Sequence, residues 1–314
     1  MAQPTGSFST VDAVGNREDL ADFIYDVSPT DTPFVSKVKK VDAEAVTHEW
    51  QTDALASASN SNVVIEGNDA ETDASTATTR LSNVCQISDK VARVTNTQQV
   101  VRKAGRRDEL AYQMVKRGKE LKRDMETMCL MNNAKVSRTD SVAGEMASVL
   151  AYIKTNVSMG SGGANPAGTG SDARTDGTQR AFTETLLLNT HQTCWDNGGE
   201  PHLAMMGSFN KRTASGFTGV ATKYKDITDR RILASADVYE SDFGTLTLLA
   251  NRFMRSRDCL LLDMEFWALA YLRNMTTINL AITGDSVRKQ ILCEYTLEAR
   301  NEISSGLVAD LTTS

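Results

Sequence analysis

Two glycines, Gly163 and Gly168, occupy the glycine positions of a G-x-x-x-x-G-K-[ST] loop within the stretch MGSGGANPAGTG (159–170). That chemistry is nucleotide phosphate binding, in which backbone N–H groups and a lysine ammonium converge at the start of a helix. Here Thr169 stands where the lysine belongs, and Gly170 replaces the hydroxyl that would hold magnesium. The following residues, SDARTDG (171–177), are polar turn formers rather than an apolar-periodic helix start. The stretch is read as a mobile surface loop.

Other reactive combinations are equally incomplete. Asp242-Phe243-Gly244 spells a kinase magnesium motif, yet no H-R-D loop, V-A-I-K strand or glycine-rich lid accompanies it, so it is read as a turn with Gly244 at its apex. His191, Cys194 and His202 are three metal-ligating types at irregular spacing, read as a helix-borne histidine and a structural cysteine. There is no G-x-S-x-G elbow, and three histidines in the whole chain leave a triad little to draw on. Asp258 with Asp263, or Asp263 with Glu265, could be drawn as acid and base, but nothing in the sequence singles them out. No catalytic group, cofactor or metal is called for.

The elements that would position such groups are more informative. At 314 residues the chain exceeds the size at which one core usually keeps growing, so two or more lobes are expected. Apolar residues make up 40% and charged residues 24%, a globular balance, and no run is long enough to cross a bilayer. The first residues lack the basic start and apolar stretch of a secretory signal, which points to synthesis in a cytosol. Five scattered cysteines without a C-x-x-C pair argue against a disulfide framework. The formal charge of −6 argues against a protein that grips nucleic acid through a basic surface.

Residues 1–44 read as an arm, with a helical signal at 19–27 stopped by Ser28-Pro29 and again by Thr32-Pro33. Two extended runs, 46–55 and 81–94, flank a stretch of Ser, Ala, Thr, Asn and Asp interrupted by Val63-Val64-Ile65. Such a hairpin has too little apolar surface to fold on itself and needs another surface to lie on. A structureless tip of this length inside a compact domain implies a role outside that domain.

The strongest helix spans 107–131, with Leu110, Met114, Leu121, Met125 and Met128 on one face and Asp108 and Glu109 at its start. The methionine stripe is read as core. The basic run Arg102, Lys103, Arg106, Arg107, Lys116, Arg117, Lys119, Lys122 and Arg123 is read as a solvated helix face or one side of a subunit contact; Lys37, Lys39 and Lys40 are read as solvated. A helix over 182–195 ends at Asn197-Gly198-Gly199, and short strands alternating with helices follow to 272, a second, mixed α/β lobe. Residues 286–302 read as a long half-buried strand or strand pair returning to the long helix.

In this order the parts resemble the HK97-like major capsid protein of tailed bacteriophages, and one head-protein family within that fold. The resemblance rests on DTPFVSKV (31–38), Trp50 and Asp53, RGKELKRDME (117–126), YESDFG (239–244), YLR (271–273), LAITGDS (280–286) and EYTLEARNE (294–302). It implies an α+β fold with an arm near 1–44, an extended β-hairpin loop near 45–97, a peripheral domain from 98–180 and 275–314 with the long helix as its spine, and an axial domain near 181–274. It also implies hexamers and pentamers closing into an icosahedral virion head around double-stranded DNA, held without sequence-specific binding. Portal and, where used, scaffold or decoration proteins would be the partners, with no membrane.

Neither partner of the family's lysine–asparagine crosslink can be matched here, and a separate scaffold or none is expected because the chain starts directly with the arm. The expected subunit-contact residues are Asp22, Asp26 and Asp31 of the arm, Trp50 and Glu66 of the hairpin, and Arg117 and Arg123 of the spine. Arginines of the spine would pair with acidic residues of neighbouring copies. Two other functions remain at this point, a nanocompartment shell built on the same fold and a nucleotide-binding enzyme using the glycine-rich loop.

Overall fold

The computed structural model describes residues 29–69, 75–102, 107–217 and 237–314. The helical signal at 19–27, together with Asp22, Asp26, Lys103 and Arg106, lies outside the described residues.

Pro33 starts the short helix α1 (Pro33–Lys37), a position where its missing N–H is no loss. Strand β1 (Lys39–Asp42) follows. The hairpin is present: β2 (Thr47–Thr52) and β3 (Thr79–Val84) pair antiparallel with Trp50 opposite Leu81. The second extended run is not one strand. It breaks at buried Cys85, beyond which β4 (Gln86–Thr95) joins a different sheet.

After α2 (Asn96–Val100), the spine helix α3 (Glu109–Leu130) is capped by Asp108, whose carboxylate accepts the Ala111 N–H at 3.1 Å. Leu121 and Met125 are buried, and Met114 and Met128 pack against the same core, as the stripe requires. That core is completed by alternate residues of one long strand, β11 (Ser286–Ala299), whose Ile291, Cys293, Tyr295 and Leu297 share a face. The sheet carrying it has four strands in the order β1-β10-β11-β4, where β10 spans Trp267–Asn279.

The second sheet has six strands in the order β5-β12-β9-β6-β8-β7. Its members are β5 (Asn156–Ser158), β6 (Leu203–Met206), β7 (Val238–Ser241), β8 (Gly244–Ala250), β9 (Cys259–Leu262) and β12 (Gly306–Val308). β6 and β9 are buried at every residue, the mark of central strands covered on both faces. Leu203 and Met205 face the spine core, while Ala204 and Met206 meet Leu187 of α4 (Glu184–Asp196) and Ala214 of α5 (Ser208–Ser215). The 259–272 run is therefore two strands, β9 and the start of β10, separated by a turn at Met264–Phe266 and divided between the two sheets.

The glycine-rich segment corrects the expectation of a mobile loop. Gly160 and Gly177 donate their N–H groups to Asp310 at 3.0 and 2.9 Å, and Lys135 donates its own to the Gly170 carbonyl at 2.8 Å. Gly170, at φ +74°, lies so close to the Tyr152 hydroxyl that a Cβ there would sit 2.7 Å from it. Glycines here permit close packing, and the next helix begins only at Glu184.

Candidate assembly interface

The hairpin is clamped at its base, and the described residues of its tip are exposed. Trp50 is buried, its indole N–H donates to the Ala299 carbonyl at 2.6 Å, and its ring lies 5.8 Å from that of Tyr152. Asn83 donates to the carbonyls of Ala147 and Leu297 and accepts the Ala147 N–H at 2.9 Å. Lys135 donates to the Ser82 carbonyl at 2.8 Å, and His48 meets Glu298 at 3.2 Å. Among the described residues, these ties end beyond Thr52. Val63, Val64 and Ile65 are 84%, 80% and 84% exposed, and Glu66 beside them is exposed as well. Covering each aliphatic side chain would contribute roughly 1.5–3 kcal/mol.

Trp50 thus secures the hairpin to its own subunit, whereas Glu66 stands at the tip. Asp31 is exposed at the root of the arm. Just beyond it, Glu126 of α3 accepts the N–H groups of Phe34 and Val35 at 2.9 and 2.8 Å and the Asn251 amide at 2.6 Å. Burial raises its pKa, and the three donors pull it partly back. One fully buried carboxylate joins arm, spine and six-stranded sheet. Its sequence signal was its isolation: Glu126 is the one charged residue in METMCLM (125–131).

At the spine, Arg107, Lys116, Lys119 and Lys122 are exposed, as either a solvated face or one side of a subunit contact requires. Arg117 and Arg123 are half-buried with partners in their own chain: Arg117 reaches Glu120 at 2.6 Å, and the Arg123 guanidinium sits 5.3 Å from the Phe253 ring centre. Glu294 was also missed. It lies between Arg138 and Arg273, both at 2.8 Å; burial opposes ionisation, but these hydrogen bonds outweigh it and hold the carboxyl below its ordinary range.

The reactive candidates resolve into structural roles. The Ser241 hydroxyl lies 2.8 Å from the His191 ring, and burial, then His202, lowers the His191 pKa. Cys194 packs beneath Gly306 with its thiol pushed up to about 12 by burial. All five cysteines are free and buried. Asp263 accepts the Glu265 N–H at 3.1 Å, and Gly244 turns β7 into β8 at φ +137°. Among the described residues, no group of three or more His, Cys, Asp or Glu is placed to hold a metal ion, and no helix is long and apolar enough to cross a membrane.

Comparison with known proteins follows the same line. A family model described as SU10 major capsid protein matches residues 4–312. The chain belongs to that family. This SU10-family protein is 43% identical over 145 residues to the major capsid protein of Escherichia phage Phieco32, a match spanning 46% of this chain and 40% of the relative's length. Among solved structures, the capsid of a native GTA particle superposes with a TM-score of 0.66 at 11% identity, covering 96% of this chain and 98% of that one. The Cyanophage A-1(L) capsid gives 0.66 at 11%, covering 97% and 98%. Microbacterium phage Oxtober96 gives 0.63 at 14%, covering 98% and 99%. The capsid fold expected from the resemblance is the fold of the SU10-family chain.

Proposed function

We propose that this SU10-family major capsid protein is the repeating subunit of an icosahedral phage head, assembled through hexamers and pentamers around double-stranded DNA. The observation that carries this is the hairpin, held at its base by Trp50 and Asn83 while its tip presents Val63, Val64 and Ile65 to solvent. An apolar tip on a polar stalk is suited to a heterologous contact, in which one surface of a copy meets a different surface of the next and the set closes into a ring. Arm, extended loop, peripheral part and axial part remain the division, with β4 and β10 counted to the peripheral sheet and β5 and β12 to the axial one. Asp22, Asp26, Asp31, Glu66, Arg117 and Arg123 serve contacts between copies, and a portal completes the head. Family membership and the capsid neighbours favour this over an enzyme-packaging compartment.

Size-exclusion chromatography and negative-stain electron microscopy of the chain expressed alone test the proposal. Rings of five or six, or closed shells, are expected. A monomer that persists when the other head proteins are co-expressed would overturn it.

A further inference from the structure

Beside the β5–β12 end of the six-stranded sheet, charged residues from three segments meet. The glycine-rich segment supplies Arg174, Asp176 and Arg180, the turn before β9 supplies Arg255, Arg257 and Asp258, and the chain after β12 supplies Asp310. Much of this junction is paired. Asp310 is fully buried at φ +60° and accepts Gly160, Gly177 and, at 2.7 Å, Arg257. Asp176 accepts Arg255 at 2.5 Å and Arg257 at 3.2 Å, Arg180 donates to the Ser158 hydroxyl at 2.8 Å, and Arg255 lies 3.3 Å from Asp258.

Arg174 is different. Its backbone is pinned on both sides by Asn132, which accepts its N–H at 3.0 Å and donates to its carbonyl at 2.8 Å. Its side chain is carried inside, with the residue 3% exposed and all three guanidinium nitrogens lacking a hydrogen-bond partner. Nitrogens of Arg180, Arg255 and Arg257 also lack a hydrogen bond, against two such oxygens, both on Asp258, although one Arg255 nitrogen and one Asp258 oxygen among them form the ion pair at 3.3 Å. Unused donors therefore exceed unused acceptors. Among the described residues, four guanidinium groups face three carboxylates, which leaves one positive charge over beside the buried Arg174, Asp258 and Asp310, where an uncompensated charge is costly.

We propose that this junction binds one small monovalent inorganic anion of the chloride class against the Arg174 guanidinium. Water could occupy the free donors, but it would leave the surplus charge. A halide supplies the missing charge and accepts from several N–H groups at once. Asp258 is the acid whose charge bears most on Arg174, and burial pushes its carboxyl up to about 6 against the pull of Arg255 and Arg174, with Asp176 and Asp310 adding to the rise. Anion binding and proton uptake at Asp258 are thus coupled in the same direction.

The test is thermal unfolding of the purified full-length chain in sodium chloride and in sodium gluconate at matched ionic strength, gluconate being the bulky organic anion that replaces the halide. Chloride should raise the Tm by about 3 °C, more at acid than at neutral pH, with the effect lost in Arg174→Lys, which removes the planar fork. In parallel, the unmodified chain should broaden the chlorine-35 magnetic resonance line, and bromide should compete that broadening away. This reading stands even where the variant fails to fold. Superposed chloride and gluconate curves with no competable broadening would overturn the proposal, leaving ordered water as the occupant. A chloride shift retained undiminished in Arg174→Lys would overturn it too.

Discussion

The carboxylate of Glu126 accepts the backbone N–H of Phe34, 92 residues earlier in the chain, at 2.9 Å. Its second oxygen takes Val35 at 2.8 Å. A spine-helix side chain thereby supplies the hydrogen-bond acceptors that the first turn of α1 lacks. Replacing Glu126 by alanine would strand two buried N–H groups and the Asn251 amide. Glu126→Ala is expected to lose about 3 kcal/mol of stability, read by chemical denaturation, and Glu126→Gln less. An unchanged denaturation midpoint in Glu126→Ala would refute this role.

Stability should also depend on pH with a sign set by burial. The Asp258 carboxyl rises from 3.8 to about 6 on folding. Between those values the folded chain keeps a proton that the unfolded chain has released. This contribution is therefore full below 3.8 and lost as pH rises through about 6. Glu126 acts in the same direction. Asp176, Glu294 and Glu298 act oppositely, because their arginine and histidine partners outweigh burial and depress them; their contribution is lost as pH falls through the depressed values. Asp258→Asn should flatten the slope of unfolding free energy between about pH 4 and 6 and be no less stable than the parent at neutral pH. A steeper slope would contradict the assignment.

At the hairpin tip, folding and assembly should separate. Val64→Asp, 80% exposed in the parent, should change stability by less than about 0.5 kcal/mol and yet reduce particle yield severely. Circular dichroism melts and electron microscopy of the same preparation check both halves. Normal particles from Val64→Asp would remove the tip from the interface.

Reversing Arg117 and Arg123 to glutamate should likewise impair assembly before folding. Among the described residues they lose the contact with Glu120 and the stacking over Phe253, each worth about 0.5–1 kcal/mol. Unfolded monomers with lost circular dichroism would count against a role between copies.

Much of this architecture was legible from periodicity. The spine helix announced itself through Leu121 and Met125 and its Asp108 cap, and the hairpin through two extended runs around a polar tip. The break at Cys85 was not legible, because one apolar residue inside a strand-like run carries no mark of the sheet to which its neighbours belong. The 259–272 run hid its division for the same reason: CLLL and WALA are equally apolar, yet they lie in different sheets. Glu126 and Glu294 were illegible as sites, since burial of a charge depends on partners far along the chain, Phe34 for Glu126 and Arg138 for Glu294, and Arg174 was illegible because its backbone is pinned by the distant Asn132. The glycine-rich segment misled because composition alone does not separate glycine used for freedom from glycine used for close approach.

The five buried thiols have a practical corollary. Burial pushes Cys85 and Cys293 up to about 11 and Cys194 to about 12, and it raises Cys129 and Cys259 as well. Thiolate being the reactive species, the native protein is a silent background for maleimide and spin-label chemistry. A single cysteine introduced at Val64 would carry the reporter alone, so that the moment the loop tip leaves water could be followed by fluorescence in real time, without first stripping any native sulfur from the chain.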